Sequence, residues 1–129
     1  MKAIILTIAL LAAASLSAQD ATGTKYNADG SVHSTCVIEG DHVWVTEYYT
    51  DGSVKEKGSY YRTLPDGPWE RYDASGDLVV RGYFRQGRRD GRWQFFKTTD
   101  GGQMELYYET GVMVSGERYN AGGEVVEKR

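Results

Sequence analysis

The chain has a single cysteine, Cys36, so no intramolecular disulfide can form even in an oxidising compartment. Histidine is nearly as scarce. His33 and His42 are the only two, both in one segment, and no serine lies in a nucleophile-elbow context, which leaves little for hydrolase or transferase chemistry. Basic charge is also lacking: 15 Lys and Arg face 18 Asp and Glu, a balance that argues against general nucleic-acid binding. No 3.6-residue apolar stripe follows the first segment, so helices are not expected. Glu47, Glu70 and Asp73 are carboxylates that in principle could pair for glycoside cleavage, but such pairs must flank a cleft, and acids at repeated strand positions are ordinarily solvated. His33, Cys36, Glu39, Asp41 and His42 match no closed zinc spacing and read as a polar loop, with Cys36 a small, partly buried apolar residue. The expectation is a non-enzymatic chain with no cofactor and no metal.

What is present begins with Met1 to Gln19: Lys2 as a positive start, apolar runs at 3–6 and 8–14, then Ser15, Ser17 and Ala18. This reads as a secretory signal cleaved near Ala18 or Gln19, although Leu16 fits the cleavage rule poorly; an uncleaved anchor is the alternative reading. No cysteine immediately follows the apolar run, so a lipoprotein would have no acceptor thiol. Loss of residues 1–18 removes one basic side chain and leaves 14 against 18 acidic. The mature protein is expected to be periplasmic or secreted.

From residue 24 onward one phrase recurs: an aromatic, a polar stretch, a glycine and an aliphatic. Tyr26, Tyr48, Tyr72, Phe96 and Tyr119 lead it, at steps of 22, 24, 24 and 23. Within a unit the alternation is that of strands, with Leu78, Val80, Gly82 and Phe84 on one face and Val79, Arg81 and Tyr83 on the other. Gly52, Gly76 and Gly123 sit where a tight hairpin needs positive φ. Hairpins would be joined through 64–68, 86–91 and the neighbourhood of Gly111. The reading is one all-β domain over 20–129, with units near 24–40, 41–65, 66–89, 90–114 and 115–129. Because one hairpin is marginal alone, the units must share an elongated single sheet or a solenoid-like array.

Matched residues then form columns. Trp44, Trp69 and Trp93 are one, Tyr48, Tyr72 and Phe96 a second, and Tyr60, Phe84 and Tyr108 a third, all expected in the repeat core. Gly58 and Gly82 are expected to admit rings from the next strand. Packing is the first reading of the tryptophans, and a stacking platform for sugars or a partner the second.

The run from Asp66 to Phe96, with Gly67-Pro68-Trp69, Tyr72, Gly76, Leu78, Gly82-Tyr83 and Gly87, resembles the variant form of the MORN repeat. The resemblance is strong over 66–96, fair over 40–64 and ragged at both ends, where the tryptophan is missing. It implies an elongated run of β-hairpins. Many bacterial proteins of this kind carry the label YwqK-like antitoxin, so the resemblance also admits an exported immunity role against a secreted toxin.

Contacts to a partner are expected from tyrosines turned away from the core and from a cluster of arginines. Tyr49, Tyr61 and Tyr107 are each the second or first of a tyrosine pair that straddles the strand, and Tyr83 adjoins Phe84. Arg85, Arg88 and Arg89 belong to a segment, 81–97, in which Asp90 is the only acid. The alternative for these arginines is a solvated edge that prevents sheet-to-sheet aggregation. The functional expectation is a protein-binding or scaffolding module at a bacterial envelope, with anionic lipid or polysaccharide as the alternative ligand.

Overall fold

A computed structural model describes residues 22–129; the expected signal segment lies outside the described residues. The described chain forms eleven strands: β1 (Thr22–Tyr26), β2 (Val32–Glu39), β3 (His42–Tyr48), β4 (Val54–Tyr61), β5 (Leu64–Tyr72), β6 (Leu78–Arg85), β7 (Arg88–Arg89), β8 (Gly91–Phe95), β9 (Gln103–Glu109), β10 (Val112–Tyr119) and β11 (Val125–Lys128). All belong to one open antiparallel sheet in the order β1-β2-β3-β4-β5-β6-β8-β9-β10-β11, with the short β7 also pairing β6. The all-β hairpin array expected from the period is the observed fold.

Connections alternate between two kinds, one at each end of the strands. The wide loops at 27–31, 49–53, 73–77, 98–102 and 120–124 share one pattern: the first amide donates to the fifth carbonyl, and the fourth amide donates to the first carbonyl. Their fourth residues, Gly30, Gly52, Gly76, Gly101 and Gly123, all have positive φ. Asp29, Asp51 and Asp73 accept from the backbone amide and hydroxyl of Ser31, Ser53 and Ser75, which explains the recurring polar stretch. Tight turns occupy the opposite ends. There Arg62, Gln86 and Thr110, spaced 24 apart, take φ of 58°, 49° and 49° without being glycine. Gly87 and Gly111 supply the second positive φ of the latter two turns, as a type I′ hairpin requires.

The segment 64–68, expected as a connection, is instead the first half of β5. The turn is Arg62-Thr63. Pro68 falls in the stretch 66–68 that the β4–β5 register skips between the Gly58–Trp69 and Tyr60–Pro65 pairs, so its missing amide donor lies where pairing with β4 is already interrupted, and Pro65 borders that slip. Likewise Gln86-Gly87 alone makes the next turn, and the rest of 86–91 is strand β7, Asp90 and the start of β8.

One face of the sheet holds the core. Across it Val45 lies opposite Gly58, Gly58 opposite Trp69 and Trp69 opposite Gly82; farther on, Trp93 lies opposite Leu106 and Leu106 opposite Gly116. A Cβ on Gly58 would overlap the Trp69 ring, and one on Gly82 the Trp93 ring, so each indole is seated directly on bare backbone. Around these seats Tyr60, Trp69, Phe84, Trp93 and Tyr108 pack edge to face in sequence, with centroid separations of 5.8, 5.5, 5.0 and 6.4 Å. Tyr60 and Trp93 are 1% and 2% exposed. Since every described strand is in the one sheet, burial this deep requires the sheet to curl so that residues of the core face cover one another.

Trp44 does not join Trp69 and Trp93. It is half-buried on the opposite face, and the seat two strands back from Trp69 belongs to Val45. The reason is parity: Trp44 is 25 residues from Trp69, Val45 is 24, and one residue along a strand reverses the face. Tyr48, Tyr72 and Phe96 also lie outside the core cluster. Bulges at Glu47/Tyr48 and Arg71/Tyr72 deliver the first two to the ends of the wide loops. Tyr72 and Phe96 are half-buried on the open face, where Lys57 and Arg81 lie over their rings at 5.8 and 6.0 Å.

Trp69→Ala is expected to cost about 3–5 kcal/mol, and Gly82→Ala about 1–3 kcal/mol through overpacking, both read from urea unfolding. Thr110→Gly, which relieves a β-branched residue of positive φ, should instead raise stability by about 1 kcal/mol in the same assay.

Candidate functional site

The open face is largely self-neutralised. Lys57 and Arg81 flank Glu70 at 3.7 and 3.3 Å, Arg92 pairs with Glu105, and Lys128 meets Glu117 at 3.0 Å. Such exposed pairs add little stability each, but they leave little uncompensated charge on the sheet surface. The wide-loop end is acidic in its contacts, with Lys97 held between Asp73 and Asp77 at 3.1 Å each and Arg118 paired with Asp100. These partners hold the carboxyls of Asp73 and Asp100 down at about 2, with the Ser75 and Thr98 hydroxyls as the largest cause in each case.

The tight-turn end differs. Here an open groove of about 560 Å³ is lined by Tyr61, Arg62, Leu64, Arg85, Arg88 and Arg89, and Asp90 is the only acid on its wall among the described residues. Arg85 is committed to Asp90 (Nε to Oδ2, 3.0 Å). Arg89 lies over Trp93 at 4.7 Å and donates to the Tyr108 hydroxyl at 3.0 Å, so its guanidinium braces the end of the aromatic ladder. Among the described residues Arg62 and Arg88 make no ion pair, and both are exposed. The groove therefore has two braced cations and two available ones.

Asp66 fixes the groove's position relative to the sheet. Its Oδ1 accepts the Gln86 backbone amide at 2.9 Å and its Oδ2 is 2.8 Å from His42 Nε2, tying the 86–87 turn to β3. The Gln86 amide, then the His42 hydrogen bond, hold the Asp66 carboxyl below its ordinary range. His42 is thus turned to a carboxylate across the sheet. Among the described residues, no three His, Cys, Asp or Glu side chains converge to hold a metal.

The four tyrosines named as contact candidates do not form one stripe. Tyr61 is half-buried in the groove, between the His42 ring at 5.5 Å and the Arg62 guanidinium at 5.3 Å. Tyr49 is at the opposite end of the strands, its hydroxyl donating to the Tyr72 carbonyl at 2.9 Å. Tyr83 and Tyr107, 40% and 38% exposed, stand on the open face, and the Tyr107 hydroxyl donates to Glu105. Arg62 went unnamed in the sequence reading. The available signal was its position 24 residues before Gln86, which puts the two turns side by side.

A buried carboxylate pair lies on the core face. Glu47 and Glu56 are directly opposite each other on β3 and β4 and are 6% and 3% exposed. Glu56 accepts the Trp69 indole N–H at 2.9 Å, and Arg71 is the cation facing it. Burial is the largest influence on Glu56 and pushes its carboxyl up, with Glu47 adding to the rise against the opposing effects of Trp69 and Arg71. The Tyr60 hydroxyl, which has no hydrogen-bond partner among the described residues, is pushed up by burial and by the same two glutamates.

A carboxyl raised in the folded state binds its proton more tightly there than in the unfolded chain. Glu56 therefore contributes stability below the ordinary value of 4.5, and this contribution is lost as pH rises through the raised value. Relative to Glu56→Gln, the wild-type chain should lose stability as pH increases above 4.5, read as the difference between their urea midpoints. An unchanging difference would show that Glu56 titrates normally.

None of the curated proteins matches this chain in sequence. Among solved structures, a mutant of S. aureus TarM in complex with fondaparinux, alpha-GlcNAc-glycerol and UDP is 6% identical with a TM-score of 0.49, covering 96% of this chain and 23% of that one. A second TarM crystal structure is 9% identical with a TM-score of 0.47, covering 98% and 21%. This chain thus spans less than a quarter of either TarM chain. The family model described as MORN repeat variant matches residues 45–60 and 65–86, the region of β3 to β6 and of the seated Trp69.

Proposed function

We propose that this chain is a non-catalytic binding module of a bacterial envelope, whose tight-turn end takes an acidic segment of a partner protein. The observation that carries the reading is the groove: Arg62 and Arg88 unpaired, Arg85 and Arg89 braced beside them, Tyr61 on the wall and one acid, Asp90. Guanidinium forks suit carboxylates, and an aromatic beside them offers the apolar contact typical of protein interfaces. The self-neutralised open face offers no comparable charge, which favours the groove over Tyr83 and Tyr107 as the place of first contact. Export to the periplasm or beyond rests on the apolar, small-residue-ended leader at 1–19. An immunity role against a secreted toxin is one form of the same activity, since such an inhibitor need only bind. Anionic lipid or acidic polysaccharide is the second ligand class, favoured by the same unpaired Arg62 and Arg88.

Capture from an envelope extract at low and high salt, with wild type and the Arg62→Glu/Arg88→Glu variant, tests this. Retention of one partner protein should fall about tenfold or more in the variant and weaken with salt, as charge steering and pairing are lost. Equal retention by both proteins would remove the groove from the interface. Recovery of lipid or polysaccharide alone would move the assignment to the second class.

A further inference from the structure

The two outermost strands of the sheet are β1 and β11, each with a neighbour on one side only among the described residues. They end a path of ten strands in alternating direction, so β1 and β11 run oppositely, and β11 of one molecule can pair antiparallel with β1 of another without breaking the alternation. We infer that this chain self-associates head to tail, β11 of one copy adding to β1 of the next in the register of its own repeats.

The repeats fix that register. At the β2–β3 and β4–β5 contacts the residue four beyond the loop's aliphatic pairs with the residue three before the following loop's aromatic, Cys36 with Val45 and Gly58 with Trp69, whereas at β9–β10, after the longer 97–102 connection, Gly116 meets Leu106, off that count. Applied to Val125 and Tyr26, the rule sets Arg129 opposite Gly23 of a second copy, Glu127 opposite Lys25 and Val126 opposite Tyr26. Each pairing is complementary. Glu127 and Lys25 carry opposite charges on the core face, since their cross-strand neighbours are Arg118 and Ser34. Tyr26 and Val126, exposed by 63% and 53%, would cover each other on the open face. Arg129, hydrogen-bonded to the Gly116 backbone, would set a long side chain against a glycine, continuing the alternation of bulky and bare positions along the core row.

Strand β11 contains no proline, and Val125, like Val126, is substantially exposed at 45%. Because the two patches differ, the contact is heterologous and generates an open series rather than a closed dimer. Strands of five and four residues make a small contact, so association is weak and concentration-dependent.

Sedimentation velocity of the full chain, from about 10 μM to about 1 mM, should show a mass distribution that grows with concentration. Lys25→Glu and Glu127→Lys should each weaken association about threefold to tenfold by opposing like charges across the strands. Mixed in equal amounts, the two variants meet with opposite charges at both edge pairings, position 127 of either one facing position 25 of the other, so the mixture should recover association as an alternating open series. That recovery also shows that both variants are folded, and placing both changes in one chain should restore the open series. A wild-type chain monomeric throughout the range overturns the inference. Single variants that associate like wild type, or a mixture and a doubly changed chain that do not recover, overturn it as well.

Discussion

The rest of the molecule depends on two indoles lying on bare backbone. Trp69 over Gly58 and Trp93 over Gly82 bring rings closer to the sheet than any Cβ would permit. A glycine in a strand costs stability through entropy and lost packing, and here the cost is offset by the large aromatic surface taken from water. The edge-to-face chain from Tyr60 to Tyr108 runs through those two seats. With no second layer among the described residues, that chain is the core. The same constraint keeps the array one sheet thick, because a ring seated against its own sheet needs less cover from elsewhere.

The consequence is a separation of roles by face and by end. The core face spends its side chains on one another, and even its two buried glutamates are held by Trp69 and Arg71 or by position rather than by solvent. The open face is occupied by a lattice of cross-strand ion pairs. Wide loops are self-contained, their aspartates satisfied by neighbouring serines and by Lys97 or Arg118. Apart from the Tyr60 hydroxyl, much of what is unpaired among the described residues lies at the tight turns and at the sheet's two lateral edges. Those are the places where the chain has charge or backbone left to offer, and both readings of its activity are located there. Among the described residues, the three non-glycine positions of positive φ, Arg62, Gln86 and Thr110, also fall at tight turns, and all three line the arginine groove.

Much of the fold was legible in the sequence because the repeat couples two periods, alternation along the strand and about 24 residues along the chain. The seats at Gly58 and Gly82 followed from that coupling. The column containing Trp44 did not, since a tryptophan one residue out of step looks equivalent in a pattern but faces the other way in a sheet. The prolines at 65 and 68 misled for a related reason: proline marks turns statistically, and only the register slip opposite Ser59 shows why a strand accepts them here. Of the candidate contacts, Arg85, Arg88 and Arg89 were visible as a local cluster. Arg62 was not, because it reaches them across neighbouring turns and not along the chain.

The sequence by itself determined the all-β class, the hairpin period, the places of the chain reversals at Gly52, Gly76 and Gly123 and the glycines on which rings are seated, since these depend on residue type and local spacing, although it expected tight turns where the structure has wide loops. Only the tertiary structure decided which aromatics are core, that Asp66 ties His42 to the Gln86 turn, and that four arginines share one groove. Those outcomes depend on parity and register between strands, and a shift of a single residue between paired strands reverses every side chain involved.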